Sequence, residues 1–124
     1  MHSIIIAGSR GLVNPNMIEV GMAEIDITDK IACIISGGAR GVDKLGETWA
    51  KKHGIKVLKF PANWERDGKS AGYKRNLEMA KVGDILVAFW DGKSKGTQHM
   101  FEIAKHNEIF TIVFQVIGNK LRKL

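Results

Sequence analysis

Three arginines stand beside glycines or in polar helix starts, where a guanidinium can meet a ligand. Arg10 closes Gly8-Ser9-Arg10, Arg40 lies inside Ser36-Gly-Gly-Ala-Arg-Gly-Val-Asp43, and Arg75 precedes Asn76. A guanidinium makes forked, charge-assisted contacts with phosphate, and glycine lets a ligand approach the backbone. The second segment is the most informative, because it carries Gly37, Gly38 and Gly41 between an apolar run, Ile31–Ile35, and a helical pattern. A strand, a glycine turn and a helix N-terminus aim free amides and the helix dipole at one point, which suits an anion. Asp43 is placed to cap that helix. A further turn, Asp91-Gly-Lys-Ser-Lys-Gly-Thr97, offers the hydroxyls of Ser94 and Thr97 and the amide of Gly96. For Thr97 a plain helix cap is the other reading. Trp64 suits base stacking or a cover over the core. Gly8 serves either a ligand or the turn after its strand. Arg75 and Asn76 lie ~7 Å along their helix from its start, near enough to reach a ligand or to remain on a helix surface.

These residues need a frame that collects them. Short apolar runs, Ser3–Ala7, Ile31–Ile35, Lys56–Phe60, Ile85–Trp90 and Ile109–Ile117, alternate with helical patterns. The runs are continuous rather than alternating, as in strands covered on both faces of a parallel sheet. Helices are expected over Pro15–Ile27, opened by Asn14-Pro15, and over Asp43–His53, Ser70–Val82 and Thr97–Asn107. Within the third, Tyr73, Leu77 and Ala80 follow core spacing. Repeated βα units imply a doubly wound α/β sandwich with right-handed crossovers. All the chemical turns follow strands, so they share the carboxyl edge of the sheet, where open α/β sheets bind ligands. Residues 1–117 form one domain in this reading, and the basic end, Lys120-Leu-Arg-Lys123, is a frayed tail over 118–124.

The chain of 124 residues carries 19 basic and 13 acidic side chains, a net charge of +6 that suits an anionic ligand or nucleic acid. No apolar run approaches the ~18 residues needed to span a bilayer. The start, Met-His-Ser-Ile-Ile-Ile, reads as a strand rather than a leader. A single cysteine, Cys33, inside an apolar run fits a reducing, cytoplasmic setting. Gly92-Lys93-Ser94 lacks the upstream glycine of a P-loop, that position being Val87. Ser36 stands where a dinucleotide fingerprint has its first glycine, and no acidic residue closes the third strand, which argues against ordinary nicotinamide-dependent hydride transfer. His99 and His106 are ~10 Å apart along one helix, too far to share a metal. Neither a metal nor a cofactor is expected.

Taken together, Gly8-Ser9-Arg10, SGGARGVD, Phe60-Pro-x-x-Trp64-Glu, Gly68-x-x-Ala-Gly-x-x-Arg75-Asn76-x-x-Met79 and Gly96-Thr97 resemble the SLOG superfamily, and within it the small YspA/YpsA-related branch. The resemblance runs in order along almost the whole chain. It implies a Rossmann-like three-layer sandwich with a mainly parallel sheet of about five strands. It also implies a pocket for a nucleotide or nucleotide-derived ligand, such as an ADP-ribose-type signal, and homo-oligomers are common among such proteins. The wider superfamily includes the LONELY GUY phosphoribohydrolases and the Rossmann domain of DNA-processing protein A. In the hydrolases a glutamate of a P-G-G-x-G-T-x-x-E loop works with a helical arginine. Arg75 matches the arginine, but the glutamate position falls at His99 or Met100, leaving Glu102 as the candidate catalytic carboxylate. Ligand binding without turnover is therefore the leading expectation. N-glycosidic hydrolysis by Arg75 and Glu102 and single-stranded nucleic acid binding are the alternatives.

Overall fold

A computed structural model describes all of residues 1–124. The strands are β1 (His2–Gly8), β2 (Ile31–Ser36), β3 (Lys56–Lys59), β4 (Ile85–Trp90), β5 (Phe110–Ile117) and β6 (Lys120–Lys123). The helices are α1 (Pro15–Ile25), α2 (Val42–Lys52), α3 (Trp64–Asp67), α4 (Ala71–Val82) and α5 (Lys95–His106). The sheet order is β3-β2-β1-β4-β5-β6, parallel throughout except for β6.

The continuous apolar runs have the expected cause. Alternate residues of each central strand enter opposite cores. Ile4, Ile6, Val87 and Phe89 pack with Met17, Ile18 and Met22 of α1 and with Trp49 and Ala50 of α2. Ile5, Ala7, Leu86 and Ala88 pack with Met79 and Ala80 of α4 and with Met100 and Ala104 of α5. With helices on both faces, neither side of the strand tolerates a polar residue.

Helix ends follow local chemistry. Asn14 caps α1 by accepting the Asn16 amide at 3.0 Å, with Pro15 in the first turn. α1 stops two residues before the expected end, because Asp26 adopts a left-handed conformation (φ 54°) and donates its amide to Met22. The segment 120–123 is not frayed. Gly118-Asn119 forms a two-residue hairpin loop with Gly118 at φ 60°, and β6 pairs antiparallel with β5 from Ile117–Lys120 to Phe114–Lys123. Glycine first in a two-residue hairpin suits the twist of antiparallel strands. Leu121 anchors the strand on the α1 side of the core, so the sheet has six strands rather than five. α4 also turns differently from expectation. Tyr73 and Leu77 are each 46% exposed, and the inward face is Ala71, Asn76, Met79 and Ala80.

The chain builds outward from β1 to β3, then returns to start β4 on the other side of β1. This reversal leaves a crevice between the turns after β1 and β4, whose ends are in register at Gly8 and Phe89.

Candidate functional site

The crevice opens into a cleft of about 460 Å³, within the ~300–1,000 Å³ range of small-molecule sites. Gly8 and Arg10 line it from the turn after β1, and Asp43 from the first turn of α2. Trp64 comes from α3, Arg75 and Asn76 from α4. Ser94, Gly96 and Thr97 come from the start of α5. A second lobe of about 340 Å³ adjoins it and contains Gly37, Gly38 and Arg40. Arg10, Ala39, Trp64 and Arg75 line both lobes. The guanidinium of Arg10 lies 6.0 Å from the centre of the Trp64 ring, so this pair stands at the junction.

Arg75 is held by two hydrogen bonds. Its Nη1 donates to the Gly37 carbonyl at 2.6 Å, and its Nε donates to Asn76 Oδ1 at 3.2 Å. Its guanidinium occupies the space that a Cβ on residue 37 would take, which is why a glycine stands there. Asn76 is buried and spans the cleft floor, with Nδ2 3.3 Å from the Gly96 carbonyl and 3.2 Å from His99 Nδ1. Burial weakens the hold of Arg75 on its proton, with the nearby Arg10 charge acting in the same direction and the Asp43 charge opposing both. His99 is likewise pushed below the ordinary histidine range, chiefly by burial, against the charge of Glu102.

The glycine turn is braced from beneath. Ser36 Oγ donates to Glu47 Oε2 at 2.6 Å and accepts the Gly38 amide at 3.1 Å. Glu47 is buried and faces Lys59 and Lys44 at 3.5 and 3.7 Å. The serine that spoils the dinucleotide fingerprint is therefore a pin for the turn. Asp43 does not cap α2; Gly41 holds that position at φ 77°, against the Arg10 backbone, and lines neither lobe. The Asp43 carboxylate instead accepts the Ala39 amide at 3.1 Å from within the first turn. Burial pushes its pKa up to about 6, against the Ala39 hydrogen bond and the Arg75 charge, while Glu47 adds repulsion.

At the opposite wall, Ser94 caps α5 and its Oγ lies 3.1 Å from Thr97 Oγ1. Asp91 Oδ1 accepts the amides of Lys93 and Ser94, both at 2.8 Å. Burial works to raise the Asp91 pKa, but these amides and Ser9 outweigh it, and the group stays below the usual carboxylate range. Trp64 is oriented by a short brace. Asn63 caps α3 by accepting the Arg66 amide, and Asp67 holds both Arg66 and Lys74.

Some expected residues fall elsewhere. Ser9 is buried and structural: its hydroxyl accepts the Asp91 amide and its carbonyl accepts Leu12 and Val42. Glu102 is exposed, bonded to Gln98 and absent from the cleft wall. Asp91, Lys69 and Tyr73 line the cleft without having been singled out as ligand residues. For Asp91 the signal was its place at the end of a central strand. No group of three or more His, Cys, Asp or Glu converges as a metal site. A larger groove of about 780 Å³ between α1 and the β5–β6 hairpin is lined by Leu12, Val13, Val20 and Val116 among others and lacks convergent cations.

A family model described as the YspA, cpYpsA-related SLOG family matches residues 2–66. The Gene 61 protein of Mycobacterium phage D29 is 34% identical over 121 residues, covering 92% of this chain and 97% of the phage protein. Among solved structures, DNA processing protein A from Helicobacter pylori, described for its single-stranded DNA binding mode, superposes with a TM-score of 0.63 at 16% identity. That match covers 97% of this chain and 68% of that one. At such identity the likeness is one of fold, a Rossmann-like α/β sandwich. This chain belongs to the YspA, cpYpsA-related SLOG family.

Proposed function

We propose that the protein binds a nucleotide or nucleotide-derived ligand in this cleft, as a sensor or sequestering protein. The observation that carries the reading is convergence: Arg10, Arg40 and Arg75, from three separate segments, line one lobe of the cleft together with the glycine turn. Arg10 and Trp64 present two flat faces, to which a base ring is suited.

Calorimetry against nucleoside monophosphates, NAD, ADP-ribose and cyclic ADP-ribose isomers tests this. Heat of binding from at least one, lost on Arg75→Ala, is expected; silence across the set overturns the proposal. The fold shared with a DNA-binding protein and the +6 charge favour a second reading, single-stranded nucleic acid binding. That reading requires affinity for short single strands that falls steeply with salt. A gel-shift titration flat at low salt eliminates it.

A further inference from the structure

The two lobes differ in charge. The outer lobe presents Arg10, Arg40 and Arg75 with the glycine turn and no acidic side chain. The inner lobe adds Asp43 and Asp91 to its cations. Phosphate oxygens are repelled by carboxylates, whereas sugar hydroxyls donate to them. The lobes therefore suit opposite ends of one ligand.

Within the inner lobe the two acids are not equivalent. Asp91 spends one oxygen on two backbone amides and shapes the turn before α5. Asp43 is 5% exposed, lines the inner lobe from the first turn of α2, and accepts the Ala39 amide. An ionised carboxylate offers about four acceptor positions, so the Asp43 carboxylate retains capacity on the cleft wall. Its neighbours are Arg75 and Glu47, and the latter is already taken by Ser36 and two lysines.

Resting on the nucleotide-binding reading above, we infer that the ligand lies in one direction. Its phosphates occupy the arginine-only outer lobe and its ribose hydroxyls meet Asp43, so the cleft selects ribonucleotides over deoxyribonucleotides. A site built to bond a hydroxyl rejects the analogue that lacks it, because its own polar group is left unpaired.

Calorimetry with the four ribonucleoside monophosphates and their 2′-deoxy and 3′-deoxy counterparts provides the test. The best-bound ribonucleotide is expected to bind at least tenfold more tightly than one of its deoxy forms. Asp43→Asn should bring the two within about twofold, while Arg40→Ala should weaken both forms by the same factor. Equal affinity of the unmodified protein for ribo and both deoxy forms overturns this inference and leaves nucleotide binding standing. Absence of binding by every monophosphate overturns this inference, and silence that extends to NAD and the ADP-ribose forms removes nucleotide binding as well. The ratio measured on the unmodified protein decides the matter even where Asp43→Asn does not fold.

Discussion

The turns after β2 and β4 have the same plan, strand to polar glycine loop to helix, yet they are built oppositely. After β2, the loop amides of Gly38 and Ala39 are consumed by Ser36 and Asp43, and the positive charge comes from Arg40 in the loop and from Arg10 and Arg75 brought from elsewhere. After β4, Asp91 and Ser94 shape the loop, and Gly96, in the first turn of α5, lines the cleft with no earlier helical turn to accept its amide. A glycine-rich turn is thus not one kind of site. What a turn offers depends on whether its own side chains have already claimed its donors.

The largest effect expected concerns the rigidity of the first turn. Gly41 sits at φ 77° with the Arg10 carbonyl where a Cβ would go. Gly41→Ala should cost about 3 kcal/mol or more, from strain and displacement together. Denaturant titration showing less than about 1 kcal/mol would mean the turns after β1 and β2 are not locked together.

Asp43 should matter nearly as much, through pH. Its pKa is raised to about 6 from 3.8, so the folded state holds its proton more tightly than the unfolded chain does. Its contribution therefore falls as pH rises from about 4 to 6, and the full penalty, up to ~3 kcal/mol, is present above that window. Asp43→Asn should raise the melting temperature at pH 7 and flatten the dependence between pH 4 and 6. An unchanged slope would show that the carboxyl is not desolvated as described.

Arg75 separates the turns by function, since it binds to the first and reaches the second through Asn76. Arg75→Ala should weaken nucleotide binding on the order of 100-fold, about 2.7 kcal/mol. Arg75→Lys should recover little, because an ammonium lacks the fork. Full rescue by lysine in calorimetry would reduce its role to net charge. The smallest effect belongs to the second turn: Ser94→Ala removes the cap of α5 and should cost ~1 kcal/mol by thermal melting. A larger loss would show that the Ser94–Thr97 hydroxyl pair carries more than a cap.

Sequence alone established the architecture here, because burial on both faces writes itself as continuous apolar runs, and because glycines mark the turns that end them. It also placed the arginines on one sheet edge. The short strand β6 was legible only as Gly118-Asn119 and one apolar residue, Leu121, too little to separate pairing from fraying. Side-chain direction was beyond its reach. Tyr73 and Leu77 fit a helical stripe, yet the stripe that packs inward on α4 runs through Asn76, a polar residue buried by bonds to Gly96 and His99 across the cleft. Glu102 stood one turn from the right place and faces away. Asp43 had the composition of a cap and the surroundings of a site. Those outcomes depend on partners distant in the chain, and only the packed structure brings them within hydrogen-bonding distance.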